Sequence, residues 1–243
     1  MHVEDTELLE DESIVYAIGS HLAEACFNPD SEVWGAGFIG ESMTILGSPG
    51  RIHAVRGWQS LERLRGAGVC CPDVVGDPAL LLPLYYQPKS VKKRYRLGVI
   101  SHCRESDIEF FHAAKSWPDT LIIDITGGIE RVVDQVSSCE FVASSSLHGL
   151  ICSDGYGVPS LWIQASNRLK GDGFKFRDYF SSVNRDSPDP MAVCGQTTHK
   201  DLLIGDYELG DRIDWKTLLH SCPFWNGMIP PFARTNESSS GNS

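Results

Sequence analysis

The chain has 243 residues, of which 42% are hydrophobic and 9% aromatic, enough for one large folded domain or two small ones. Its formal net charge of -11 argues against a general affinity for the nucleic-acid backbone or for anionic membranes. No stretch approaches the roughly 18 consecutive apolar residues of a membrane span, and residues 1–5 lack the basic and apolar regions of a signal peptide, so we expect a cytoplasmic protein.

Short segments rich in β-branched residues recur along the chain between turn signals, and each has the length of a strand. Between them lie segments in which apolar residues repeat at helical spacing. Strands that alternate with helices are typical of parallel sheets built from βαβ units, so we predict an α/β fold. The predicted strands are 13–18, 32–34, 52–55, 97–100, 121–125, 141–143 and 160–163, and the predicted helices are 59–65, 107–115, 129–137 and 147–156.

Residues 85–96 interrupt this alternation with a proline, a serine and five basic residues. We interpret them as a linker between two lobes, and a phosphate-binding basic patch is the alternative. The linker predicts a first Rossmann-like lobe at 1–88 and a second at 89–183. An irregular C-terminal segment at 184–243 follows, with a disordered tail from residue 236.

The eight cysteines are scattered and include no CxxC pair, so zinc-finger spacing is absent. Several lie within apolar runs, which is typical of buried free thiols in a reducing compartment. We therefore expect free thiols and no metal site.

The first candidate motif is GAGFIG at 35–40, a GxGxxG sequence after a predicted strand. Such glycines can place a dinucleotide pyrophosphate at a helix N-terminus, but this motif lacks a long following helix and an acidic residue about 20 positions on. Arg56 ends the next strand instead and could accommodate a 2′-phosphate, so an NADP site is one interpretation. The others are a glycine turn, in which Gly35 and Gly37 let the backbone approach a cleft, and a purely structural turn.

Basic residues stand at the carboxyl ends of two predicted strands, the ends that face the ligand crevice in open α/β sheets. Arg56 follows a strand of the first lobe, and its planar guanidinium matches carboxylate or phosphate oxygens. A surface ion pair is the alternative for Arg56. His102 and Arg104 follow the first strand of the second lobe and are candidate anion-binding residues, although loop histidines are common.

Asp77 precedes Pro78 in the segment GDPALLLP at 76–83. It can cap a short helix that begins at the proline. Capping explains the residues fully, and catalysis by Asp77 is the alternative.

The strongest candidate is the segment at 141–151, where a buried strand runs into Ser144, Ser145 and Ser146 and an apolar helix follows. His148 stands in the first turn of that helix. Backbone N–H groups and hydroxyls at such a turn form an anion site. A core histidine with a satisfied hydrogen bond is the alternative for His148.

Four short motifs occur in an order that resembles the polysaccharide pyruvyltransferase family, particularly its exopolysaccharide branch. They are VWGAGF at 33–38, AVRG at 54–57, GDPALLLP at 76–83 and SSSLHGLI at 144–151. The segment GFKFRDYFSSV at 173–183 is similar to one that follows the second lobe in that branch. The resemblance covers residues 14–183.

The resemblance implies two facing Rossmann-like lobes in a GT-B-like arrangement. It implies pyruvyl transfer from phosphoenolpyruvate to a carbohydrate acceptor, with a ketal as product, no metal or other cofactor and no nucleic-acid partner. His148 would be the catalytic residue, and arginines would bind the donor, with Arg56 as the best match. The further predicted substrate-binding residues are His102, Arg104, Ser144, Ser145, Ser146, Gly35 and Gly37.

The sequence departs from the family in two ways. Some members have arginine where Ser146 stands, so other residues of this chain must supply part of the binding to the donor. The family opens with a strand before residue 14, so the first lobe is predicted to be shortened at its N-terminus and to favour a homo-oligomer or another partner at its exposed edge. The alternative functions are a GT-B-like glycosyltransferase that uses a nucleotide sugar and a truncated, inactive relative that binds a sugar or an anion.

Overall fold

The computed structural model describes residues 14–186, 189–228 and 230–232 of the chain. In this part of the chain the strands form two parallel sheets. The first has the order β1-β2-β3, with β1 at Val15–Tyr16, β2 at Glu32–Trp34 and β3 at Arg51–Ala54. The second has the order β5-β4-β6-β7-β8, with β4 at Tyr95–Ile100, β5 at Thr120–Ile123, β6 at Cys139–Ser144, β7 at Ser160–Gln164 and β8 at Met191–Ala192.

Helices connect the strands, so the predicted α/β class with two parallel sheets is confirmed. The lobe boundaries, the GT-B-like arrangement and association through the edge strand β1 stay predictions. No helix in the described part of the chain is both long and apolar enough to cross a membrane. The helices are α1 at Leu22–Ala25, α2 at Trp58–Gly66, a 3₁₀ helix at Pro78–Leu84, α3 at Glu109–Ala114, α4 at Ile129–Ser137, α5 at Leu147–Gly155, α6 at Phe174–Ser182, α7 at His199–Leu203 and α8 at Trp215–His220.

The order of the second sheet creates a crevice. Strand β4 pairs with β5 on one side and with β6 on the other, so the chain reverses its direction of winding between β4 and β6. In doubly wound sheets ligands bind outside the carboxyl ends of the strands at such a switch point. The loops after Ile100 and Ser144, which end these two strands, therefore meet where a ligand is expected.

Apolar side chains cover both faces of the second sheet. Val99 and Ala143 belong to one buried cluster, whereas their neighbours Ile100 and Val142 belong to another. This division follows from the alternation of side chains along a strand, which sends consecutive residues to opposite faces. Burial on both faces holds β4 and β6 in a fixed register, and so fixes the positions of the loops at their ends.

Helix α6 packs against elements of both lobes. The Phe176 ring stacks on Trp162 of β7 with a centroid distance of 4.4 Å, and Phe180 meets the same tryptophan edge-on at 6.0 Å. Phe174 instead belongs to the buried cluster of the first lobe, together with Phe38. Both sheets therefore share α6, an element that the helical periodicity did not predict.

The segment after residue 183 differs from the irregular structure that we expected. Strand β8 extends the second sheet by pairing with β7, and helices α7 and α8 follow. Helix α8 packs on the first lobe, where Leu218 contacts the cluster that contains Ala54 and where the Trp34 indole donates to the Leu218 carbonyl at 3.0 Å. The predicted disordered tail from residue 236 lies outside the described residues.

A buried ion pair joins Arg56, at the end of β3, to Asp178 of α6, and neither side chain is exposed. Arg56 Nε donates to Asp178 Oδ2 at 3.0 Å, and Nη2 lies 2.8 Å from the same oxygen. The guanidinium also donates to the Phe38 carbonyl at 2.6 Å and to the Ser20 hydroxyl at 2.9 Å. Asp178 accepts from both the N–H and the hydroxyl of Ser60 at 2.7 Å. A buried pair needs such additional bonds to offset its desolvation.

We predict that Asp178→Asn strongly destabilises the protein, because it leaves the Arg56 guanidinium buried without its countercharge. The expected loss in the free energy of unfolding is about 3–5 kcal/mol, measured by urea denaturation. The matched control is Asp73→Asn, since Asp73 pairs with Arg65 at 2.6 Å at the surface. Loss of that exposed pair should cost much less, because solvent screens it. Equal losses in the two variants would contradict the special role of the buried pair.

Candidate active site at the switch point of the second sheet

Serine side chains shape the turn between β6 and α5. Ser144 Oγ accepts a hydrogen bond from the Ser146 N–H at 3.0 Å and donates to the Ser146 carbonyl at 2.8 Å. Ser145 Oγ accepts from the His102 N–H at 2.9 Å, which ties the loop after β4 to the loop after β6. The hydroxyls of Ser144 and Ser145 are therefore used within the protein. Ser146, the N-cap residue of α5, is buried and makes no capping hydrogen bond with its side chain.

His148 is the second residue of α5, and it is exposed at the start of that helix. The first N–H groups of an α-helix lack acceptors within the helix, and the helix dipole is positive at this end. An anion bound by these groups would therefore lie beside the imidazole of His148. The alternative of a buried core histidine is wrong.

His102 lies in the loop after β4 and is half-buried. The N–H of Arg104 donates to His102 Nδ1 at 3.2 Å. The neutral imidazole then carries its proton on Nε2, where it can donate to an anion. Burial lowers the pKa of His102 and the charge of Lys175 lowers it further, while Glu105 has the opposite effect. Arg104 itself is exposed in the same loop.

Lys175 of α6 is a basic residue of the site that the sequence analysis missed. Burial lowers the pKa of Lys175, and the charge of Arg56 adds to this effect. Its Nζ lies 5.2 Å from the centroid of the Phe176 ring. The sequence GFKFRDYFSSV contains a sign of this role, because Lys175 stands between two phenylalanines, Phe174 and Phe176, that are buried in the structure. A partly buried cation is costly to desolvate, so its position needs a local reason.

Two buried carboxylates lie near this basic cluster, and each has one oxygen that forms no hydrogen bond among the described residues. Asp77 Oδ1 accepts from the Ala79 N–H at 2.9 Å, whereas Oδ2 has no partner. The predicted capping by Asp77 is therefore confirmed. Glu105 Oε1 accepts from the Ser166 hydroxyl at 2.5 Å, and Oε2 has no partner.

The residues predicted to contact the donor from the first lobe lie in the interior. Arg56 is fully buried, and its guanidinium forms an ion pair with Asp178. The alternative of a surface ion pair is therefore wrong. Contact between Arg56 and the donor stays a prediction. A Cβ atom at Gly37 would lie 2.5 Å from the Arg56 guanidinium carbon. A Cβ at Gly35, whose φ is +93°, would lie 2.2 Å from the Pro78 ring. Both glycines thus make room for packing.

The GAGFIG segment also lacks the structure that a dinucleotide site requires. Strand β2 leads into it, but residues 35–50 contain no helix. A pyrophosphate bound at this turn would therefore have no helix N-terminus to hold it. The NADP interpretation has no support in the fold.

A cavity of about 670 Å³ lies near the opposite end of α5. Leu80, Tyr156 and Trp215 contribute to its lining, and none of the predicted site residues does. We therefore place the candidate site by its chemistry and not by cavity size. Within the described ranges no group of three or more His, Cys, Asp or Glu side chains could hold a metal ion.

Comparison with known proteins gives matches of limited length. The family model described as polysaccharide pyruvyl transferase matches residues 33–167, more than half of the chain. An uncharacterised protein of Acanthamoeba polyphaga mimivirus is 30% identical over 166 residues, which cover 65% of this chain and 58% of the relative. The succinoglycan biosynthesis protein ExoV of Rhizobium meliloti is 22% identical over 176 residues, which cover 71% of this chain and 54% of that protein. The chain thus spans little more than half the length of these relatives. No solved structure matches it.

We predict that Lys175→Met raises the pKa of His102, because it removes a positive charge that opposes protonation of the imidazole. Titration of the histidine side chains by NMR measures the shift. Lys170→Met is the matched control, since Lys170 is exposed and is not among the charges that act on His102. Lys175 would be excluded from the site if neither variant changed the titration of His102.

Proposed function

Because the chain belongs to the polysaccharide pyruvyl transferase family, we propose that it transfers a pyruvyl group from phosphoenolpyruvate to a hexose of a polysaccharide or glycan. The observation that best supports this proposal is the basic cluster at the switch point, formed by His102, Arg104, His148 and Lys175. The chain as a whole carries a formal charge of -11. A local excess of positive charge in an acidic protein favours an anionic ligand.

Phosphoenolpyruvate fits this cluster chemically, because it carries a phosphate and a carboxylate. The N-terminus of α5 and the Ser146 hydroxyl offer donors to one anionic group. Arg104 and Lys175 offer charged donors to the other, and the neutral imidazole of His102 offers its Nε2–H. Some family members have an arginine where Ser146 stands, and Lys175 is a candidate to replace its contribution to donor binding.

The proposed reaction requires a proton donor. Protonation of the methylene carbon of phosphoenolpyruvate makes C2 electrophilic, one sugar hydroxyl adds to C2, and a second hydroxyl displaces phosphate to close the ketal. The acceptor loses two protons, of which one replaces the proton given to the methylene carbon and the other leaves with phosphate. We assign His148 to proton transfer or to stabilisation of the leaving phosphate.

The direct test is incubation of the purified chain with phosphoenolpyruvate and a panel of galactosides, glucosides and mannosides. Phosphate release together with the mass gain of a pyruvyl ketal on one acceptor is the expected result. Transfer of a glycosyl group from a nucleotide sugar, without pyruvyl transfer, would overturn the proposal. Thermal stabilisation by phosphoenolpyruvate without turnover would instead indicate an inactive relative that keeps the anion site.

We predict that His148→Gln lowers the turnover number by about 10² to 10⁴, the usual contribution of a general acid or base. The thermal midpoint should change little, because His148 is exposed. His112→Gln is the matched control, since His112 is an exposed histidine of α3 outside the cluster. Near-normal turnover in His148→Gln would remove this residue from the mechanism.

A further inference from the structure

Asp77 is buried more deeply than a helix cap requires. Its side chain is fully buried, and only Oδ1 is used to cap the 3₁₀ helix. The second oxygen, Oδ2, is buried and forms no hydrogen bond among the described residues. A buried carboxylate oxygen without a partner costs free energy, so such a group usually has a role that offsets the cost. The N-cap aspartate of α8 differs, since Asp214 is exposed and both of its carboxylate oxygens accept hydrogen bonds.

The surroundings of Asp77 point to His148. The 3₁₀ helix packs directly on α5, where Ala79 and Leu80 contact the cluster that contains Leu147 and Leu150. Burial raises the pKa of Asp77, and the largest opposing influence is the charge of His148, followed by the Ala79 N–H and by Arg56. No hydrogen bond joins Asp77 to His148 in the structure. Catalytic hydrogen bonds often form or tighten only when substrate is bound, so Asp77 and His148 can pair in the substrate complex.

We propose that Asp77 is a positioning residue whose unpartnered carboxylate oxygen holds a proton on His148 for delivery to the donor. This inference rests on the proposed pyruvyl transfer. A carboxylate beside an imidazole favours the protonated form of the imidazole. In the reaction that proton goes to the methylene carbon of phosphoenolpyruvate, and a proton from the acceptor hydroxyl restores it.

Other charged groups act on the same pair and bear on its pH dependence. Arg56 and Tyr179 lie within electrostatic range of Asp77. His102 lies within range of His148 and is itself influenced by Lys175, Glu105 and Arg104. Cations near an imidazole oppose its protonation and carboxylates favour it, so the pH dependence of the variants reflects all of these groups.

The test is Asp77→Asn, which separates the charge from the cap. The Asn side-chain oxygen can still accept from the Ala79 N–H, whereas the amide that replaces Oδ2 carries no charge. We expect the thermal midpoint to stay close to that of the parent protein, while the turnover number falls about 100-fold. The pH at which activity falls on the basic side should move lower, because the proton leaves His148 more readily without the carboxylate.

A control variant and a second variant of Asp77 show whether an effect of Asp77→Asn comes from the lost charge. Asp214→Asn changes an N-cap aspartate far along the chain, at α8, and should leave turnover and its pH profile unchanged. Asp77→Glu keeps the charge, so it should retain the basic limb of the parent pH profile even where the turnover number is reduced. If Asp77→Asn fails to fold, Asp77→Glu decides alone, and displacement of the basic limb in that variant would overturn the proposal.

A readout without turnover distinguishes this proposal from the proposed function. The titration midpoint of the His148 imidazole, followed by NMR, should move to lower pH in Asp77→Asn and stay fixed in Asp214→Asn. An unchanged midpoint overturns the pairing even if pyruvyl transfer is observed. A shifted midpoint in a protein without pyruvyl transfer would keep the pairing and reject the reaction assigned to it.

Discussion

The buried ion pair between Arg56 and Asp178 is the contact on which the arrangement of this molecule depends. It fixes the end of β3 against α6, and Gly37 leaves the space that the guanidinium occupies. Helix α6 stacks on β7 through Phe176 and carries Lys175 to the switch point. Because two opposite charges without solvent must keep their partners, this pair restricts how the first lobe can move relative to α6.

Burial and neighbouring charges together determine the pKa values of the basic residues in the candidate site. The pKa values of His102 and Lys175 are both lowered, first by burial and then by neighbouring cations. Glu105 opposes these effects from a buried position. Glu105 and Asp77 each keep one carboxylate oxygen without a hydrogen bond among the described residues. A bound anion would interact favourably with the cations of the site and would offset part of the cost of burying them.

Local signals predicted most of the fold, and long-range contacts account for what they missed. β-branched runs between turns located the strands from β1 to β7, and the Asp77-Pro78 pair located the 3₁₀ helix. Short helices such as α7 and α8 gave weak periodicity and depend on their caps and on packing. The burial of Arg56 could not be predicted locally, because its partner lies 122 residues away. Lys175 was missed because only the fold brings α6 to the loop after β4.

The gathering of basic side chains at one edge of an acidic protein has a kinetic consequence. Over most of its surface the net negative charge repels small anions, whereas the field at the switch point attracts them. Salt screens exposed charges beyond about 8 Å at physiological ionic strength, and half-buried groups such as His102 and Lys175 are screened less. Higher ionic strength would therefore slow the binding of an anion more than it would speed its dissociation. The on-rate would depend on the exposed charges, and the residence time would depend on the half-buried ones.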